Sequence, residues 1–133
     1  MNPPNSLFQS HLDSPQNVGK LECKQPYVGC GKYLLPACGD AAGFDIEVAP
    51  ETNVIVKAKF RTFGCPAAIA CGSYLSELLI GKRSEDLNPD DLRQWVKPLE
   101  LPPIREHCPE LIINAIGAAI LDLRKKSGLH QEL

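Results

Sequence analysis

Between residues 44 and 60 apolar side chains recur at alternate positions, and beyond residue 66 they recur at helical spacing. That succession limits the chain to few architectures. Phe44, Ile46 and Val48 are separated by Asp45 and Glu47, and Val54, Val56, Ala58 and Phe60 stand opposite Lys57, Lys59 and Arg61. A period of two marks half-buried strands, and the Pro50-Glu51-Thr52-Asn53 link is turn chemistry. The expected hairpin puts Asp45 and Glu47 on one solvent face with Lys57 and Lys59, where cross-strand charge pairs help modestly. Tyr33-Leu34-Leu35 is read as a third strand, and residues 15–35 otherwise as a structureless stretch. Leu7, Phe8, His11 and Leu12 fit one short amphipathic helix stopped before Pro15.

The second half is helical. Ala68, Cys71, Leu75, Leu78 and Leu79 share a stripe that ends at Gly81. A short helix follows, with Asn88 as N-cap, Pro89 first, Asp90 and Asp91 in its first turn, and Pro98 beyond its end. The last helix carries Leu111, Ile112, Ala115, Ile116, Ala119, Ile120 and Leu123, then Arg124, Lys125 and Lys126 before Gly128. Strands first and helices afterwards predict an α+β fold. It has a small antiparallel sheet of about three strands, with helices packed on one apolar face.

A length of 133 residues fits one domain, 1–133, with residues 1–6 and 127–133 expected to fray. A net charge of −2 argues against nucleic acid as the main partner. No apolar run approaches the roughly 20 residues of a membrane span, and the first residues lack signal-peptide character. A soluble, cytoplasmic protein is the expectation, without a membrane partner.

Six cysteines are the chemically informative feature. Cys65-Pro66 and Cys108-Pro109 each open a helix, with the cysteine near the N-cap. Free backbone N–H groups and the positive end of the helix dipole favour thiolate there. Cys38 lies in Pro36-Ala37-Cys38-Gly39-Asp40, where Gly39 allows Cys38 and Asp40 to converge. His107 adds a nitrogen donor. Three thiolates, a carboxylate and an imidazole suit Zn²⁺ or an iron–sulfur cluster. The bland alternative is a pair of small core cysteines near helix ends.

Three segments resemble, in order, the signatures of the IscU/NifU N-terminal family of iron–sulfur cluster assembly scaffolds. They are Ala37-Cys38-Gly39-Asp40, Phe60-Arg61-Thr62-Phe63-Gly64-Cys65 and Leu101-Pro102-Pro103-Ile104-Arg105-Glu106-His107-Cys108. Residues 7–19, with His11, Pro15 and Asn17, resemble that family's N-terminal segment. The resemblance implies a NifU/SufE-like fold and a labile 2Fe–2S cluster bound by Cys38, Cys65 and Cys108. Asp40 is implied as neighbour or fourth ligand, and His107 as the alternative. It also implies a cysteine desulfurase as sulfur donor with Cys108 as persulfide acceptor, a frataxin-type iron donor, and recipient apo-proteins.

Leu101, Pro102, Pro103, Ile104 and Arg105 resemble a segment that an Hsp70/J-type chaperone pair reads in some members; a rigid linker is the other reading. Pro66-Ala67-Ala68 departs from the family's usual Gly-Ser-Ala after the second cysteine, and proline remains compatible with a helix start. The chain lacks the extra cysteine-bearing domains of full-length NifU and is expected to act as a stand-alone scaffold, without turnover chemistry of its own. The competing functions are a SufE-like sulfur relay through Cys108 and a zinc-binding interaction module, since Zn²⁺ suits the same donors.

The remaining residues read structurally. Cys23 and Cys30 are expected to be bystanders in a loop, and Cys71 a core residue. His11 stabilises the N-terminal segment, and His130 lies in the tail. Trp95 and Tyr74 pack, and Lys57, Lys59 and Arg61 form a solvated basic face.

Overall fold

Helical packing follows the helical period, and strand pairing follows the period of two over residues 42–46 and 58–60. The computed structural model describes residues 6–35, 39–64, 66–101 and 107–127, with the backbone alone for Ser6, His107 and Ser127. In chain order the elements are α1 (Ser6–Asp13), β1 (Val28–Leu35), β2 (Asp40–Val48), β3 (Ile55–Phe63), α2 (Pro66–Leu79), α3 (Pro89–Trp95) and α4 (His107–Ser127). Short 3₁₀ turns, Ser84–Asp86 and Lys97–Leu99, flank α3. Residues 1–5 and 128–133, expected to fray, lie outside the described residues, as do Gly128 and His130; Ser6 and Ser127 end α1 and α4.

The three strands form one antiparallel sheet in the order β1-β2-β3. Ala42, Phe44, Ile46, Ala58 and Phe60 point to its inner face and are buried with the α4 stripe of Leu111, Ile112, Ala115, Ile116, Ala119, Ile120 and Leu123. Cys71, Leu75 and Leu79 of α2 close the same core. The N-cap of α3 is as expected, with Asp91 N donating to Asn88 Oδ1 at 2.9 Å. Trp95 packs beside the core under the Lys82 ammonium, 5.2 Å from its ring centre.

Three strand-level expectations need correction. β1 is eight residues long rather than the three of Tyr33-Leu34-Leu35. Its inner face begins with Gly29 and Gly31, which carry no apolar side chain to show a period. A Cβ on Gly29 would lie 2.2 Å from Ala119 O, and one on Gly31 2.3 Å from Ala119 N. The backbone of α4 occupies the space where side chains would stand. β1 can lie this close to the helix only because it has glycine at both positions.

At the start of β3, Ile55 is fully buried, whereas Val56 is 45% exposed. A register shift at Glu47/Val48 reverses the alternation there. Ile55 N donates to Lys82 O at 2.8 Å, so the segment after α2 also fixes which side turns inward.

The outer face is not uniformly solvated. Glu47 and Lys57 pair across the strands at 4.0 Å as expected. Asp45, by contrast, is fully buried, because residues preceding β1 cross over it. It accepts from Leu21 N at 3.0 Å and from Arg61 Nη1 at 3.1 Å, so Arg61 leaves the basic face to neutralise it. A buried carboxylate needs such partners.

Candidate functional site

The β1–β2 turn places Asp40. Leu35 pairs with Asp40 across the strands, and Gly39 N closes the turn on Leu35 O at 2.8 Å, with Gly39 at φ +76°. Cys38 belongs to this turn and lies outside the described residues. Asp40 is half-buried at the first position of β2 and shares the parity of Ala42 and Phe44, which face α4. Across the sheet, β3 runs out at Phe63, and Gly64 passes over the Asp40 carboxylate. A Cβ on Gly64 would stand 2.2 Å from Asp40 Oδ1, and its φ of +124° suits glycine. The carboxylate thus lies between the turn that carries Cys38 and the residue that precedes Cys65. Cys65 itself is outside the described residues.

The third cysteine segment reaches the same end of the sheet by geometry. Gly29 faces Ala119 and Leu123, and Gly31 faces Ala115 and Ala119, so α4 runs opposite to β1. Leu35 is four residues past Gly31, about 13 Å along a strand. About nine helical residues cover that length, which leads from Ala115–Ala119 back to the start of α4. Cys108 is there, fully buried. The helix begins at His107, so Cys108 is its second residue rather than the N-cap expected from Cys108-Pro109. Proline is tolerated throughout a first turn, whose N–H groups lack helical partners. Arg93 of α3 steadies this turn, donating to Glu110 at 2.6 and 3.1 Å and to Asp90 at 2.9 Å. The hydrogen bond and charge of Glu110 raise the Arg93 pKa.

Of the other expected site residues, the His107 side chain and Pro102, Pro103, Ile104 and Arg105 fall outside the described residues. Leu101 is half-buried against the core. His11 is buried, its Nδ1 2.6 Å from Ser73 Oγ and its Nε2 3.5 Å from Glu77, an arrangement that docks α1 on α2. Tyr74 meets it edge-on with ring centres 5.4 Å apart.

Two features escaped the sequence. Phe63 is 71% and Leu34 55% exposed at the Asp40 end of the sheet, lining with Tyr33, Lys32 and Lys20 an open hollow of about 590 Å³. Their apolar character was visible, but only pairing of Leu34 and Phe63 with the two sides of Ala41 brings them together. Cys23 and Cys30 are not bystanders in a loop. Cys30 is on β1, and the two form a disulfide with Cα atoms 5.9 Å apart.

The comparisons agree with this architecture. Residues 5–130 match the model of the NifU-like N terminal domain. The chain is 45% identical over 116 residues to "Iron sulfur cluster assembly protein 1, mitochondrial" of Kluyveromyces lactis, covering 87% of this chain and 64% of that protein. It is 43% identical over 116 residues to "Iron-sulfur cluster assembly scaffold protein IscU" of Rickettsia prowazekii, covering 87% and 88%. A NifU-like protein (N-terminal) from Brucella abortus superposes with a TM-score of 0.71 at 13% identity over 92% of this chain and 95% of that one. With a three-stranded antiparallel sheet packed on helices, and a family match over residues 5–130, the chain belongs to the NifU-like N-terminal domain family.

Proposed function

We propose that this chain is a scaffold on which a labile 2Fe–2S cluster is assembled and from which it is passed to apo-proteins. The observation that carries this reading is the Asp40 carboxylate beneath Gly64, between two cysteine-bearing segments and at the end of the sheet where α4 begins. Cys38, Cys65 and Cys108 bind the cluster as thiolates. Asp40 is the fourth ligand, with His107 as the alternative. A carrier that kept its cargo would use four soft thiolates. A hard carboxylate oxygen in place of the fourth weakens the hold and favours release. Zn²⁺ suits the same donors and competes for them in isolated protein.

Sulfur reaches the site from a cysteine desulfurase. The Cys108 thiolate attacks the outer sulfur of the enzyme's persulfide, taking that sulfur and releasing the enzyme's thiolate. Because Cys108 is fully buried, this step requires the start of α4 to open. The exposed Phe63 and Leu34 beside the site supply the apolar surface on which the sulfur donor docks. A frataxin-type donor brings iron, and Leu101, Pro102, Pro103, Ile104 and Arg105 engage an Hsp70/J-type chaperone during release. In this reading the chain is a single cytoplasmic domain without turnover of its own. Among the described residues no helix is long and apolar enough to cross a membrane.

Anaerobic reconstitution with ferrous iron, cysteine, a desulfurase and a dithiol that reduces persulfide sulfur to sulfide tests the proposal, read by visible absorption and by iron and sulfide analysis. The expected result is a 2Fe–2S spectrum that Cys38→Ser, Cys65→Ser and Cys108→Ser each weaken, and that decays when apo-ferredoxin is added. Persulfide on Cys108 without a cluster would instead identify a sulfur relay. A colourless protein that holds zinc and takes no sulfur would identify a structural module.

A further inference from the structure

On the outer face of the sheet, one ligand atom each from Cys23, Cys30 and Asp45 lie within 4.8 Å of one another. Cys30 and Asp45 are register partners on β1 and β2, five pairs from Leu35 and Asp40. That is roughly 17 Å along the strands, and Asp45 has the opposite parity to Asp40. The group is therefore separate from the site at the end of the sheet. We propose that Cys23, Cys30 and Asp45 form a second metal site, opened by reduction of the disulfide and suited to a thiophilic divalent cation of the zinc class.

The main requirement is that both sulfurs stay in place once their bond is broken. Hydrogen bonds that do not involve sulfur meet it. Gly19 N donates to Phe60 O at 2.9 Å and Leu21 N to Asp45 Oδ2 at 3.0 Å, which fixes the approach to Cys23. Lys126 Nζ donates to Cys23 O at 2.5 Å and to Val28 O at 2.7 Å, tying Cys23 and the start of β1 to α4. Cys30 N donates to Asp122 Oδ2 at 2.9 Å, and its strand pairs with β2. Reduction thus leaves two thiols set beside a carboxylate.

The donor set matches the cation. Zinc–thiolate bonds of about 2.3 Å put two sulfurs about 3.8 Å apart in a tetrahedron, a spacing within reach of cysteines whose Cα atoms are 5.9 Å apart. Asp45 is fully buried and already deprived of bulk water. Its Oδ2 is held by Leu21 and Arg61, whereas Oδ1 has the longer contact, 3.5 Å to Arg61 Nη2. Oδ1 is the oxygen available to a cation while Oδ2 keeps its partners. Arg61 and Lys126 offset the excess negative charge of two thiolates and a carboxylate. Solvent completes the fourth position on the side of exposed Cys23.

The chemistry balances with a dithiol as reductant. It gives two electrons and two protons to the Cys23–Cys30 bond and becomes a disulfide itself. The incoming cation then displaces both thiol protons into solvent.

The test uses Co²⁺ as a spectroscopic probe on Cys38→Ser/Cys65→Ser/Cys108→Ser protein, reduced with dithiothreitol and desalted anaerobically. One equivalent of Co²⁺ with sulfur-to-cobalt charge-transfer bands and tetrahedral d–d bands is expected. The bands should be absent before reduction and absent when Cys23→Ser or Cys30→Ser is added, and Asp45→Asn should weaken binding at least tenfold. Should the triple substitution fail to fold by circular dichroism, equivalents are counted on the reduced parent chain and on its Cys23→Ser/Cys30→Ser variant. A difference of one equivalent supports the site. Equal counts, or a folded, reduced triple variant that takes no Co²⁺, overturn it, and unchanged affinity in Asp45→Asn overturns the carboxylate ligand.

Discussion

Asp40 and Gly64 occupy a single volume between them: the space a side chain would fill at Gly64 already holds a carboxylate oxygen. Gly64→Ala should therefore displace Asp40 while leaving the sheet paired, and should lower the yield of cluster reconstitution several-fold. Part of that loss comes from the backbone, since φ +124° disfavours alanine. Removing the carboxylate separates the two causes. Asp40→Ala/Gly64→Ala should assemble more cluster than Gly64→Ala alone, because the clash that pushes the Gly64 turn out of place is then relieved and only the backbone cost remains. Equal yields would assign all the damage to the backbone and uncouple the pair. Asp40→Ala by itself tests lability. Its cluster should persist longer than the parent's in the presence of apo-ferredoxin, and transfer at the parent rate would count against a hard-ligand role for Asp40.

At the scale of elements, Gly29 and Gly31 decide how closely β1 approaches α4, and substitutions at Gly31, Gly39 and Gly117 give opposed expectations. A Cβ on Gly31 would meet backbone atoms of α4, 2.3 Å from Ala119 N and 2.4 Å from Ala115 O. Backbone cannot rotate aside, so Gly31→Ala should cost about 3 kcal/mol or more, a fall in melting temperature of about 10 °C or more. Gly39→Ala meets nothing within 4 Å but stands at φ +76°, and should cost only about 1–2 kcal/mol. Gly117 lies on α4 with open space and no unusual φ, so Gly117→Ala should stabilise by about 0.5–1 kcal/mol. Thermal unfolding of the three variants checks the order, and a Gly31→Ala protein as stable as Gly117→Ala would refute the close packing.

The same glycines explain what could be read in advance. The α4 stripe and the hairpin announce themselves because burial there is written in side chains. Gly29 and Gly31 are buried by absence, so a pattern of apolar residues passes over them. The candidate site was legible as motifs, since Cys38-Gly39-Asp40 and Gly64-Cys65 are short and local. Asp45 reads as solvated in the sequence because its cover, Leu21, comes from a segment with no period of its own. Cys23 lies in that same segment, and Cys30 stands between Gly29 and Gly31, which hide the strand.

Over the whole molecule the two faces of the sheet differ, and so do its two ends. Helices cover the inner face. The segment before β1 crosses the outer face at Asp45 but leaves Leu34 and Phe63 exposed near Asp40. Phe63, Leu34 and Tyr33 together make a contiguous exposed apolar patch, the kind of surface that a partner covers. If that partner is the sulfur donor, Phe63→Ser should separate two routes to the cluster. Assembly from iron and inorganic sulfide depends on ligands alone and should proceed at the parent rate. Assembly from cysteine through a desulfurase depends on docking and should slow about tenfold, the effect of losing about 1.4 kcal/mol of binding. Raising the desulfurase concentration should restore the rate, because the defect lies in encounter and not in the site. Equal slowing by both routes would mean that Phe63 supports the fold of the Gly64 turn rather than a partner, and an unchanged desulfurase route would move the docking surface elsewhere on the molecule.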